Sequence, residues 1–411
     1  MGKFYENVKE RMIRYAKVDT QSVANNGKTP SSIKQFDLAR MLFNELNDIN
    51  ASDVYLDETN CVVYARIPAN TPNVKAFGLI THMDTATEAS GTNVKPWVFE
   101  NYQGQDITLN KELGIVMKFK DYPNLTNYIG EDIIFTDGTT LLGGDDKAGI
   151  SAVMTMAEYL IKNPEILHGE IDLAFTPDEE VGGLARNLDF KRFNAKVAYT
   201  LDGDHKGYYS FETFNALEAM IHFNGLSVHT GTAKGIMKNA VRMSYELLNK
   251  LPLERPENTS DREGFFHPLF IEGNTEKAYL RILIRDFDSN KFNERIELIK
   301  SLVEETNNEY GPNSATVEFG NGYPNMGEYI KKEPYLVTNL VNAIKKSNVD
   351  PVELPFRGGT DGAALSKRGL PCPNLSSGYE NAQGRFEYVP IGNMEKNVEI
   401  LLNLVEIFKN M

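Results

Sequence analysis

Three short apolar runs, each closed by a residue able to bind a metal, constrain the fold more than any other feature of this chain. Ala76-Phe77-Gly78-Leu79-Ile80-Thr81 leads into His82-Met83-Asp84, and Ile171-Asp172-Leu173-Ala174-Phe175-Thr176 leads into Pro177-Asp178-Glu179-Glu180. The third, Val197-Ala198-Tyr199-Thr200-Leu201, ends at Asp202 before Gly203. Such runs, bounded by turn residues, predict strands buried on both faces. Between the first two lies a strong helix signal, with Ile150, Val153, Met154, Ala157 and Ile161 on one stripe. Buried strands separated by helices predict an α/β core with a mostly parallel sheet. In open sheets of this kind, ligands bind beyond the carboxyl ends of the strands, where loops bring distant residues together.

The flanking regions read differently. The first 50 residues read as helix, with Phe36, Ala39, Phe43 and Leu46 on one face. In the middle, Ala216 to Phe223 and Tyr279 to Asp286 alternate in polarity, which predicts an antiparallel sheet covered on one face. With helices from about Asn239 to Leu251 and around Phe292, Ile296, Ile299 and Val303, and a strand at Ala315 to Phe319, this block reads as a β-α-β-β-α-β insertion. The expected organisation is a catalytic domain in two parts, 1–207 and 323–411, interrupted by a smaller α+β, ferredoxin-like domain at 208–322.

A formal charge of −14 gives no electrostatic reason to expect nucleic acid or anionic lipid as partners. Cys61 and Cys372 form no framework, the N-terminus has no apolar signal region, and no run of about 18 apolar residues occurs. Cytoplasm is the expected location.

Each polar motif has a plain reading beside a chemical one. His82 with Asp84 two residues on is either a surface pair or a metal ligand with the carboxylate that fixes its tautomer. Asp145 and Asp146, in Gly143-Gly144-Asp145-Asp146-Lys147, either cap the following helix or place Asp145 between two cations. Glu179 and Glu180 are either solvated charge or a division of labour, one carboxylate binding metal while its neighbour accepts a proton from water. His229, in Ser227-Val228-His229-Thr230-Gly231, is alone in its segment. Arg357, in Arg357-Gly358-Gly359-Thr360-Asp361-Gly362, marks a glycine-rich turn or a grip for a carboxylate.

Taken together and in order, these segments resemble the aminotripeptidase branch of the di-zinc metallopeptidase family that also contains amino-acid deacylases and carboxypeptidases. Thr81 to Thr85, Leu142 to Gly149, Thr176 to Gly182, Asp202-Gly203, His229 to Gly235, Ile284 to Asp288, Arg357 to Ala363 and Gly369 to Leu375 carry the resemblance. It implies a zinc-exopeptidase-like catalytic domain, with the inserted domain serving as a lid or dimerisation element. It implies two zinc ions, with His82, Asp145 and Asp202 at the first and Asp145 and Glu180 at the second. Asp84 would orient His82, Glu179 would be the general base and His229 would stabilise the oxyanion. Asn239, Arg285 and Arg357 would bind substrate, and the peptide bond after Asp145 would be cis. The implied activity is removal of the N-terminal residue from tripeptides, with a homodimer as the expected assembly. At the position where the family places a fifth ligand, a histidine, this chain has Gln383, and no histidine follows His267. The alternatives are therefore a weakened or mono-zinc paralog that binds peptides, with His205 as a conceivable substitute ligand, and a metal-dependent deacylase.

Overall fold

The strands Phe77–His82, Ile171–Thr176 and Ala198–Leu201 lie side by side and parallel, with His82 opposite Thr176 and Gly78 opposite Ala198. Parallel alignment brings their carboxyl ends to one edge, so His82, the Glu179-Glu180 turn and Asp202 emerge together although far apart in sequence. The computed structural model describes residues 2–24, 26–183, 185–320 and 322–411. The chain divides into two compact units, one of residues 1–211, 329–354 and 360–411 and one of residues 212–328 and 355–359.

The first unit is built on an eight-stranded mixed sheet. Its order is Ser52–Asp57, Val62–Ile67, Ile171–Thr176, Phe77–His82, Ala198–Leu201, Asn374–Leu375, Tyr208–Ser210 and Val352–Glu353. Alternate residues serve the two faces, as the pleat requires. On one face Val63, Phe77, Leu79, Leu173, Phe175 and Tyr199 pack with the helices Tyr5–Ala16, Gly144–Lys162 and Ile391–Lys409. Phe408 of the last helix sits 4.5 Å, ring to ring, from Phe77. On the other face Tyr64, Ile80, Ala174 and Ala198 meet Leu188, Phe193, Leu365 and Cys372. With both faces covered, these central strands need no polar alternation.

One part of this unit departs from the reading of the sequence, and another, the cis peptide after Asp145, follows it. The first 50 residues form two helices, Tyr5–Ala16 and Gln35–Asp48, rather than continuous helix. Gly27, Pro30 and the Ser31-Ser32 pair lie between them and favour turns, and the Ser31 amide and Gln35 Nε2 both donate to Asp178. The helix that begins at Gly144 is non-helical at Asp145 (φ −79°, ψ 100°) and Asp146 (φ −118°, ψ 30°), and the peptide bond between them is cis.

The second unit contains the strands Asn215–Asn224, Phe265–Gly273, Lys277–Asp286 and Ala315–Phe319 and the helices Ala240–Asn249 and Ser289–Tyr310. Its four strands are all antiparallel, with Lys277–Asp286 and Asn215–Asn224 in the centre. Ile221, Phe223, Leu280, Ile282 and Ile284 pack under Met243, Leu247, Ile299 and Leu302 of the helices. Asp288 caps the longer helix by accepting from the Asn290 and Lys291 amides. The unit also takes in Pro355–Gly359, so Arg357, which the sequence boundaries put in the second catalytic segment, belongs to it.

Gly78 shows how tightly the His82 strand is held. A Cβ built there would come within 2.1 Å of Phe193 Cζ. Gly78→Ala is expected to lower unfolding stability by about 1–3 kcal/mol through overpacking, measured as a shift in the urea midpoint at unchanged slope.

Candidate active site

His82 is buried, and its two ring nitrogens face different chemistry. Nδ1 lies 3.1 Å from the Asp84 carbonyl oxygen and 3.4 Å from Asp84 Oδ1, while Nε2 lies 2.9 Å from Asp145 Oδ1 and 3.9 Å from Asp202 Oδ1. A proton on Nδ1 satisfies Asp84 and turns the Nε2 lone pair toward Asp145 and Asp202, which is the arrangement of a ligand imidazole. Among the described residues, His82, Asp145 and Asp202 form a cluster whose donor atoms all lie within 4.8 Å of one another.

Each carboxylate around His82 is fixed by a specific donor. Asp84, fully buried, accepts from the Glu179 amide at 2.9 Å and the Glu180 amide at 3.2 Å, so it pins the turn that carries both glutamates. Asp202 Oδ1 accepts from Tyr379 Oη at 2.9 Å. Glu180 Oε2 accepts from Gln383 Nε2 at 2.7 Å, and Glu180 Oε1 is buried with no hydrogen-bond partner. The Asp145 segment is held by Glu387, whose carboxylate accepts from the Leu142 and Gly143 amides, each at 2.8 Å, and from the Asp145 amide at 3.0 Å.

Electrostatics tests whether these residues suit a cation. Burial, with the charge of Asp145, pushes the Glu180 carboxyl up to about 10 and Asp202 up to about 7. Burial and neighbouring carboxylates also raise Glu179 and Asp146 well above the usual range. Like charges crowded in a low dielectric cannot all stay ionised without a cation among them. One imidazole nitrogen and two carboxylate oxygens make a three-protein-ligand set of the kind that leaves a further coordination position open. The residues at His82, Asp145 and Asp202 therefore fit a divalent ion.

The family model for Peptidase family M20/M25/M40 matches residues 143–407. A protein of Bacillus licheniformis named Peptidase T is 46% identical over 97% of this chain and 98% of its own length. The chain belongs to peptidase family M20/M25/M40. Among solved structures it is similar in fold to aminopeptidase PepT from Bacillus cereus, with a TM-score of 0.79 at 23% identity, covering 98% of this chain and 99% of the other. A tripeptidase from Staphylococcus aureus gives the same TM-score at 20% identity, covering 99% of each chain.

In this M20/M25/M40 peptidase, the residues expected at the metal and base positions, His82, Asp84, Asp145, Glu179, Glu180 and Asp202, all come together in the first unit. Gln383 joins them through Glu180. His205 is not part of that cluster, and its Nδ1 lies 2.8 Å from Glu380 Oε1. The other four expected residues lie in the second unit. His229 is exposed, and its Nδ1 accepts from the Gly231 amide at 3.2 Å. Asn239 caps the helix Ala240–Asn249 by accepting from the Arg242 amide. Arg285 Nη1 donates to Tyr323 Oη at 2.9 Å. Arg357 donates to the Asp261 and Glu263 carbonyls and to Thr259 Oγ1.

Sequence reasoning missed Tyr379 and Glu387. The signal for Glu387 was a lone acid beside the apolar Tyr388-Val389-Pro390, since a carboxylate buried there must be paired. Glu387→Gln offers one acceptor oxygen where the carboxylate offers two, and leaves an amide NH2 facing a backbone N–H. It is expected to weaken binding of a divalent ion by about 10- to 100-fold, the usual effect of removing a group that holds a ligand, measured by calorimetric titration of the chelator-stripped chain with Zn2+ as the probe ion.

Proposed function

We propose that this peptidase removes the N-terminal residue from tripeptides by water attack on the first peptide bond. The observation that carries this reading is the His82, Asp145 and Asp202 cluster standing beside Glu179, whose carboxylate accepts no hydrogen bond among the described residues. The tripeptide preference rests on near full-length similarity to proteins named Peptidase T.

The imidazole and carboxylate donors suit zinc, and an ion bound there supplies Lewis acidity that polarises a carbonyl and makes water acidic near neutral pH. Asp84 orients His82 through Nδ1 and, through its side-chain oxygens, sets the backbone of Glu179. Glu179 accepts the proton from the attacking water and delivers it to the leaving amine. Glu180 and Asp145 are the carboxylates available to a second ion. From the family resemblance, His229 would stabilise the developing oxyanion, and Asn239, Arg285 and Arg357 would bind the substrate, Arg357 near its carboxylate.

The chain acts as a homodimer associating through the second unit. Its outer strand Phe265–Gly273 carries Leu269, Phe270 and Ile271 at 43%, 42% and 50% exposure, an apolar edge suited to burial by another copy. A cytoplasmic setting suits the buried free thiols Cys61 and Cys372. No helix among the described residues is long and apolar enough to cross a membrane.

Glu179→Gln is expected to lower kcat for a free tripeptide by about 10^2- to 10^4-fold while bound zinc, measured by mass spectrometry of the purified chain, stays unchanged. Full activity in the variant would remove Glu179 from the role of base. Acetylation of the substrate's N-terminus is expected to abolish cleavage by the wild type; cleavage of the acetylated peptide at equal rate would point to a deacylase-like or endopeptidase activity instead.

A further inference from the structure

We infer that this chain retains one divalent ion tightly rather than a matched pair, because the Gln383 amide occupies Glu180 in the way a second ion would. The inference rests on reading His82, Asp145 and Asp202 as the resident cation site, and it concerns the second ion only.

A second ion would need Asp145, Glu180 and at least one more donor. The Gln383 side chain lies against Glu180, its Nε2 donating to Oε2 at 2.7 Å. In this arrangement the amide turns its NH2 group to the carboxylate, and an NH2 group has no lone pair for a metal. Turning the amide over would set its oxygen against a carboxylate oxygen, which is repulsive unless a cation already lies between them. Even then the donor would be a neutral, hard oxygen, better matched to magnesium or calcium than to zinc. The amide thus leaves Glu180 with one unpartnered oxygen, Oε1, in place of a carboxylate free at both.

Gln383 is also restrained. Its backbone lies in the left-handed region at φ +65°, as does that of Asn381 at φ +54°. Tyr379 is bonded to Asp202 on one side, and Glu387 to the Asp145 segment on the other. His205, the nearest imidazole along the chain to Asp202, lies outside the donor cluster, with its Nδ1 against Glu380, which also accepts from Tyr128 Oη. No imidazole other than His82 enters the donor cluster among the described residues.

The test is metal stoichiometry of the full chain, stripped with chelator and dialysed against a series of buffered free Zn2+ concentrations, for wild type and Gln383→His. One equivalent is expected in the wild type at concentrations where Gln383→His holds two, with the second ion at least about 10- to 100-fold weaker in the wild type. Asp202→Asn should lose the tight equivalent. Two equivalents of matching affinity in the wild type, or a single equivalent in a folded Gln383→His chain, would overturn the inference. If Gln383→His does not fold, the wild-type isotherm decides alone, one tight step supporting the inference and two equal steps refuting it. Tripeptide hydrolysis followed in the same samples separates the two readings. One tight ion without hydrolysis leaves the inference standing and removes the proposed activity, whereas two tight ions with hydrolysis do the reverse.

Discussion

Repulsion among buried carboxylates is the constraint around which the first unit is organised. Asp84, Asp145, Asp146 and Asp361 are all nearly inaccessible, and Glu179, Glu180 and Asp202 are half-buried beside them. Taking a charge out of water costs several kcal/mol unless it is paired, and His82 is the ring set directly against Asp84 and Asp145, while the buried Lys147 donates to the Val18 carbonyl. The fold meets this with polarised neutral donors. Backbone amides serve Asp84 and Glu387, Tyr379 serves Asp202, Ser377 serves Asp146, Thr176 serves Asp361, and Gln383 serves Glu180. These bonds hold each carboxylate in place without cancelling its charge, so a cation at His82, Asp145 and Asp202 completes the arrangement and is not an addition to it.

Much of that support comes from one stretch of chain. Between Tyr379 and Glu387 lie contacts to Asp202, to Glu180 and to the amide of Asp145. The stretch is anchored at its far end where Val389–Pro390 pairs with Ile133–Phe135, while Tyr388 stacks on Phe135 at 5.5 Å. Three carboxylates contributed by three distant segments are thereby referenced to a single short connection, and a change within it is felt at several of them. Side chains locked in this way by packing and by their neighbours' hydrogen bonds are what keeps a site in a productive geometry.

The candidate ligands were legible in the sequence for a physical reason. His82, Glu179-Glu180 and Asp202 each follow an apolar run, and parallel strands force the ends of such runs together. The antiparallel strands of the second unit were legible because one covered face imposes a period of two. Tyr379 and Glu387 were not legible, because the strands that fix them, Asn374–Leu375 and Val389–Pro390, are two residues long and carry no periodicity. The loop between the first two helices was hidden by the strong helical pattern on either side, and its structure depends on Asp178, about 150 residues away, which binds Ser31 and Gln35. Arg357 was placed with its sequence neighbours, whereas its guanidinium packs on Phe214 and Phe265 at 5.0 and 5.6 Å, a long-range contact that no local pattern announces.

The acidic balance of the chain takes on a sharper meaning at Gln383. Asp145 and Asp202 together balance the charge of one divalent ion, and Glu180 is a further carboxylate whose charge they leave unmatched. An imidazole at position 383 would offer a lone pair, drawing a second cation toward Glu180. The amide offers a donor hydrogen and contributes the partial positive charge itself. The two side chains therefore solve the same electrostatic problem with different partners, and the choice of the amide makes Glu180 a hydrogen-bonded member of the scaffold. Glu179 is untouched by that choice, since its position is set by Asp84 and not by Glu180 or Gln383. The placement of Glu179 and the number of ions are accordingly separable properties of this site.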